Sequence, residues 1–278
     1  MIAPDLRQYR PVNLQSPVNW NHPLNRQRVA WWLTLPQRAA GFTWYDLAGR
    51  NPGTLTNMAN SSNGWRPTTR PGGWGSMLFD GLAGQVTGSD AKLPTGDKSV
   101  AAWFKSTQSS GYGFTTFWGT QAIGSAVYVG FGPAFGAGGG YGYGVSQYGT
   151  AFGVDGLGDG NWHRSLIVNT GSLWKVYIDG EFRTSENLTT NTTPGGTFRI
   201  GAGDNPGDAF YSGLADDIAI WSRALSPAEV LADYQLSMRG YPGVLNRVGW
   251  DWYGNYNITS AINSRRTLSG RVGTRTAI

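Results

Sequence analysis

Between Asn161 and Arg183 the chain reads NWHRSLIVNTGSLWKVYIDGEFR, and this stretch limits the possible folds more tightly than any other. Trp162, Leu166 and Val168 share one parity, while His163, Ser165 and Asn169 take the other, with Arg164 and Ile167 breaking the alternation. A period of two places successive side chains on opposite faces of a strand. Asn169-Thr170-Gly171-Ser172 then supplies turn chemistry. In the next run Trp174, Val176, Ile178 and Phe182 alternate with Lys175, Asp179 and Glu181. Asp179-Gly180 offers the positive φ that a tight two-residue hairpin needs. The pattern predicts consecutive antiparallel strands with one face in a core and the other in water.

Gly 42, Trp 13 and Tyr 13, with only 14% charged residues among 278, favour turns and aromatic strands over helices. The absence of cysteine excludes disulfides and thiolate metal sites, so the fold must hold by packing. The packed domain begins at 29–33, and strands are expected at 76–80, closing on a turn at Gly81, and at 99–105, where Val100, Ala102 and Phe104 oppose Ala101, Trp103 and Lys105. In GGYGYGV, Tyr141, Tyr143 and Val145 occupy one face and glycines leave the other bare. Packing of the tyrosines in a core is the favoured reading, and an aromatic platform for sugar rings is the alternative. One helix follows Leu225, with Ser226 as N-cap, Pro227 in the first turn and Glu229 closing a capping box. Val230, Leu231, Tyr234 and Met238 form its apolar stripe, Gly240 and Pro242 end it, and it should staple to a sheet edge.

Charge is partitioned along the chain. Residues 1–71 carry net +6, residues 72–234 net −6, and residues 235–278 net +5, with every basic residue outside the centre an arginine. Arginine suits fixed, planar contacts to carboxylates, so assembly on a neighbouring subunit ranks above nucleic-acid binding. The polar N-terminus lacks the apolar stretch of a leader, and no run approaches a membrane span. The expected layout is an extended N-terminal arm over 1–28, a folded domain over 29–236 and a C-terminal arm over 237–278.

Several of these segments, taken in order, resemble one family. Val29-Ala-Trp-Trp, YDLAGRNPGTLTN from Tyr45, MLFDG from Met77, Trp162-His163, VYIDG from Val176 and YSGLADDIAIWSRALSPAEV from Tyr211 are similar to the laminin-G-like branch of the concanavalin A-like lectin/glucanase jelly rolls. The likeness spans 29–235 and implies an all-β jelly-roll sandwich of two antiparallel sheets, with one short C-terminal helix and extended terminal arms. NWNHPLNRQRVAWW before the domain and MRGYPGVLNRV after it resemble extensions of laminin-G-like proteins encoded in bacteriophage.

Glucanases of this fold present E-x-D-x-x-E from one strand, and retaining glycosidases need two carboxyl groups about 5 Å apart. Glu181-Phe-Arg-Thr-Ser-Glu186 lacks the central Asp, and Glu229 belongs to the capping box, so no enzymatic activity is expected. Asp216 and Asp217, as strand neighbours, should point to opposite faces and cannot share an ion without a bulge, so they should hydrogen-bond to turns at the strand entrance. His163 should pack or bond locally, and His22 should be a contact residue of the arm. No cofactor or metal is expected, with calcium as the exception to test, since relatives bind it in loops and Asp80, Asp204, Asn205 and Asp208 offer oxygen ligands.

Two functions remain open. The first is a virion structural protein, a capsid decoration or fibre-associated subunit, expected as a homo-oligomer docked on a major capsid or other virion protein. Arg7, Arg10, Arg26, Arg28, Trp250, Trp252, Arg265 and Arg266 are its candidate contacts. The second is a module on an extracellular or cell surface that binds host or environmental glycans, with Tyr112, Phe114, Trp118 and Tyr148 stacking on sugar rings. Neither reading involves a membrane, and nucleic acid ranks below both.

Overall fold

Alternating apolar runs between glycine-rich turns become strands from Arg28 to Trp221 among the described residues. A computed structural model describes residues 18–35, 41–58, 64–67, 70–72, 75–119, 126–133, 135–136, 140–147, 150–188, 192–203 and 209–245. The strands are β1 (Arg28–Trp32), β2 (Thr43–Trp44), β3 (Gly53–Thr56), β4 (Trp65–Arg66), β5 (Ser76–Asp80), β6 (Gln85–Gly88), β7 (Lys98–Lys105) and β8 (Gly113–Gly119). They continue with β9 (Ala126–Gly132), β10 (Gly142–Gln147), β11 (Thr150–Asp155), β12 (His163–Thr170), β13 (Leu173–Ile178), β14 (Glu181–Asn187), β15 (Phe198–Ile200) and β16 (Ser212–Trp221). Helix α1 (Pro227–Ser237) follows. Among the described residues, one sheet runs β14-β13-β12-β7-β16-β5-β4, with β1 also on β16, and the other runs β11-β10-β9-β8-β15-β6-β3-β2. All pairings are antiparallel. This is the expected sandwich.

The space between the sheets holds Trp32, Trp44, Phe79, Val100, Phe104, Trp118, Phe131, Tyr143, Ile167, Trp174 and Ile220, among others. Tyr143 stacks on Phe104 at 4.0 Å and 6°, so the favoured reading of GGYGYGV holds. Burial pushes the Tyr143 phenol up to about 12. Its hydroxyl shares hydrogen bonds with Thr115 and Ser165 at 3.0 Å each.

A second core lies outside this space and corrects the reading of the opening hairpin. Trp31, Ala101, Leu166, Val168, Tyr177, Trp221, Val230, Tyr241 and Val244 cluster together, so β12 is buried on both faces. Ser165 and Ile167 face the sandwich, while Leu166 and Val168 face the second core. The parity expected to be wet was therefore the one turned toward the other sheet. Asp179 and Gly180 do take φ of 55° and 83° at the turn. Phe182 departs from its expected face, because a bulge shifts the β13–β14 register and pairs it with Tyr177, leaving it 54% exposed.

Helix α1 has the expected capping box, with Ser226 and Glu229 bonded reciprocally. Its buried residues, however, are Val230, Asp233 and Ser237, while Leu231 and Met238 are exposed. The apolar stripe is its contact face only in part: Val230 joins the second core and Tyr234 packs on Trp103 at 6.0 Å, while polar Asp233 and Ser237 take the rest of the buried face. Ser237 accepts from Trp103 Nε1 at 3.1 Å and Asp233 binds Arg164, placing the helix over the middle of the sheet rather than at an edge.

The chain divides into Met1–Asn246 and Arg247–Ile278, and the second unit lies outside the described residues. Residues expected in the arms belong to the packed body. Val18, Leu24, Tyr241, Val244 and Leu245 are all buried.

Candidate functional site

The two ends of the described body meet. Val18 forms an antiparallel bridge with Leu245, and Asn19 N donates to Val244 O at 3.0 Å. Side-chain amides reinforce the pair, with Asn19 Nδ2 donating to Gly243 O at 2.8 Å and Asn25 Nδ2 to Val244 O at 3.0 Å. Pro23–Asn25 form a single 3-10 turn, which His22 caps by accepting from Leu24 N. Trp221 Nε1 donates to Leu24 O at 2.6 Å, and Arg223 donates to the carbonyls of Pro23 and Arg26. Arg223 also clamps Glu229 with two bonds and holds that carboxyl down at about 2.

Below this junction lies a buried charge cluster. Arg164 donates to Asp233 Oδ2 through Nε and Nη2 at 3.0 and 2.7 Å, and to Asp217 O at 2.6 Å. Tyr241 donates to Asp217 Oδ2 and Trp31 Nε1 to Asp217 Oδ1, each at 2.7 Å. Arg70 binds Asp216 and lies 3.6 Å from Asp217 Oδ2, while Thr34 N donates to Asp216 Oδ1. The expectation of opposite faces for Asp216 and Asp217 fails. A bulge between Asp216 and Ala219, with Asp217 at φ 53°, lets both carboxylates reach the same arginine. Arginines fill the space that a metal would need.

Arg28 does not face outward as an assembly contact. It is 3% exposed, with its guanidinium 3.9 Å from the Trp31 ring centroid, 4.5 Å from that of Trp221, and 3.6 Å from Asp233 Oδ1. Arg26 is exposed at the junction. Arg7, Arg10, Trp250, Trp252, Arg265 and Arg266 lie outside the described residues.

The sugar-stacking candidates do not form one platform. Tyr112 is exposed and stacks on Phe114 at 5.9 Å, but Phe114 is buried with Phe117, Tyr128 and Phe135 on the outer face of the sheet. Trp118 is buried in the intersheet core and donates to Pro94 O. A bulge between Phe114 and Thr116 puts these two residues of like parity on opposite faces. Tyr148 lies outside the described residues.

Among the calcium candidates, Asp204, Asn205 and Asp208 also lie outside them. Asp80 Oδ1 accepts from Leu82, Ala83 and Gly84 N, which shapes its turn. Burial pushes its carboxyl up, but these backbone bonds outweigh that and leave it below the usual range. No group of three or more His, Cys, Asp or Glu placed to hold a metal occurs among the described residues. Glu181 and Glu186 stand on the exposed β14, with Glu181 beside Arg183 at 3.3 Å.

His163 sits between two carboxylates, with Nδ1 2.8 Å from Asp179 and Nε2 3.2 Å from Asp159. The Asp179 hydrogen bond lifts its pKa above the ordinary 6.5, burial opposes the rise, and Asp159 adds to it. A value raised on folding means that the protonated ring favours the folded state. The gain is complete below the unfolded value and fades as pH rises through the folded one. His163→Gln should therefore cost more stability at about pH 5.5 than at about pH 8 in parallel urea titrations. Equal losses at the two pH values would remove the imidazolium from the account.

Comparison with known proteins places residues 80–231 in a family described as the concanavalin A-like lectin/glucanases superfamily. A segment is 33% identical over 86 residues to Sushi, von Willebrand factor type A, EGF and pentraxin domain-containing protein 1 of Rattus norvegicus. That match covers 27% of this chain and 2% of the rat protein. Domain 4 of AbnA, a GH43 extracellular arabinanase from Geobacillus stearothermophilus solved in complex with arabinotriose, matches with a TM-score of 0.51. The likeness covers 74% of this chain and 97% of that domain at 19% identity. Trypanosoma rangeli sialidase gives a TM-score of 0.51 at 14% identity, over 76% of this chain and 33% of its own. At such identities the two structures share a fold with this chain.

Proposed function

The chain belongs to the concanavalin A-like lectin/glucanases superfamily, and we propose that it is a non-enzymatic structural subunit of a virus particle, a capsid decoration or fibre-associated protein. The observation that carries this reading is the pairing of Val18 with Leu245. Arg7 and Arg10 precede this bridge in the sequence, and Arg265 and Arg266 follow it. These basic segments would contact the acidic face of a neighbour, a major capsid or other virion protein or a second copy of this chain. The internal cluster takes Arg28 and Arg70 from the basic first segment and three aspartates from the acidic middle, which reduces the charge contrast without erasing it. Trypsin is the direct test. The free protein should lose its ends and keep a body of about residues 18–245, whereas both ends should survive in assembled particles. Protection of residues 246–278 in the free monomer would sink the docking reading.

A second reading, a carbohydrate-binding module on an extracellular or cell surface, draws support from the lectin-like fold and from the arabinotriose held by the AbnA domain. The two roles are compatible in one subunit.

A further inference from the structure

The end of the sandwich opposite Asp80 holds a concavity of about 450 Å³. It is lined by Thr95, Gly96 and Asp97 from the loop entering β7, Asn169 and Gly171 from the β12–β13 turn, and Thr192 from the segment before β15. Its walls are tied down. Gly171 N donates to Asp97 Oδ1 at 2.9 Å and Asn169 Nδ2 to Gly171 O at 2.7 Å. Buried Asp90 accepts from Gly195 N and Gly196 N at 2.7 and 2.9 Å, fixing the segment that carries Thr192. Lys98 lies beneath, its amine 3.4 Å from both Thr95 O and Asn169 Oδ1 and 5.4 Å from the Trp174 ring centroid.

Two features have no role in the fold. A Cβ at Gly96 would meet nothing within 4 Å, and the backbone there does not take the left-handed conformation that demands glycine. Glycine at this position leaves open space at the pocket lining. Thr192 is 3% exposed and its hydroxyl has no hydrogen-bond partner among the described residues, an unmade bond that folded proteins rarely tolerate.

We infer that this pocket binds one neutral polyhydroxylated ring, a pentose or hexose residue of a glycan. Asp97 is the charged residue of the lining, with the Lys98 amine beneath it engaged by Thr95 O and Asn169 Oδ1, and its carboxylate accepts from hydroxyls while repelling anionic sugars. Threonine hydroxyls both donate and accept, as a ring of hydroxyls requires, while the Asn169 carboxamide, bonded to Gly171 O and to Lys98, holds the wall in place. Loops held by internal hydrogen bonds lose little freedom when a ligand enters. The inference deepens the carbohydrate-binding reading and leaves the assembly reading untouched.

The test is a printed array of neutral and acidic oligosaccharides, followed by titration of the full chain with any bound glycan. Neutral glycans should bind, and Gly96→Phe, which fills that open space, should weaken binding about ten-fold or more. Thr192→Val should weaken it without lowering the unfolding midpoint, because the hydroxyl makes no internal bond to lose; a merely structural role would lower the midpoint instead. Glycan binding indifferent to both substitutions would discard the pocket and keep the lectin reading. Binding of acidic sugars alone would overturn the assignment of ligand class, and an array without any hit would overturn both.

Discussion

Arg164→Met should cost about 3–5 kcal/mol in urea denaturation, the loss expected when one partner of a buried ion cluster is removed. Arg164 bridges Asp217 and Asp233 with its side chain 1% exposed, and both aspartates have side chains with no exposure at all. Methionine would fill the volume but leave two desolvated carboxylates with poorer compensation from Arg28 and Arg70. Asp233→Leu added to Arg164→Met should recover part of the loss, since replacing a buried pair by apolar groups is far cheaper than orphaning one partner. Arg28→Met should cost less than half as much. Its guanidinium makes no hydrogen bond among the described residues, stands 3.6 Å from Asp233 and is buried against tryptophan faces that methionine can still touch. Burial already holds the Arg28 pKa below that of an ordinary arginine. A loss of under about 1 kcal/mol for Arg164→Met would show that water reaches the cluster.

Asp46→Ala should cost about 3 kcal/mol, for a different reason. The carboxylate gathers four backbone donors, with Oδ1 accepting from Trp31 N and Ala48 N and Oδ2 from Arg50 N and Asn51 N, at 2.7–3.0 Å. Asn51 then donates to Val29 O at 3.0 Å, so the loop after Tyr45 is laced to β1. Alanine would orphan the Trp31 and Asn51 amides in a buried setting, while water could still serve the outer two. Asp46→Asn should lose less, since one oxygen remains. Equal losses for the two substitutions would mean that charge, and not acceptor number, holds the loop.

The sandwich was legible because its turns carry specific chemistry. Asp179-Gly180 fixes a hairpin, Ser226-Pro227 with Glu229 fixes a helix start, and the runs around Val100 and Val176 alternate as strands must. Which face met which partner was less legible. A period of two separates the faces of β12 but does not say that α1 and the chain ends cover the outer one. Arg164 and Ile167 breaking the alternation were the visible trace of that double burial. The tandem Asp216-Asp217 in an apolar strand likewise marked a special site, but reading it required the bulge, and a regular pleat was the wrong assumption. Phe114 and Trp118 share parity with each other, and only the bulge beside Phe114 separates their surroundings. Residues 18–28 show no periodicity, because they pack through one turn and isolated anchors such as Val18 and Leu24. The pocket beside Asp97 gathers residues far apart in sequence, and no local pattern announces such a gathering.

The bridge between Val18 and Leu245 also decides how the protein would carry load. If its two ends are gripped and drawn apart, tension enters and leaves the body at the same point and does not cross either sheet. The first contacts to yield are the bridge and the Asn19 and Asn25 amides beside it, opened one after another like a zip. Gripped by one end and pulled at the Lys105 end of β7, the same body is loaded along its strands, where many hydrogen bonds must shear together. A subunit anchored through its paired ends would thus be mechanically strong toward a pull at that end of the sheet and soft only toward the separation of its own anchors.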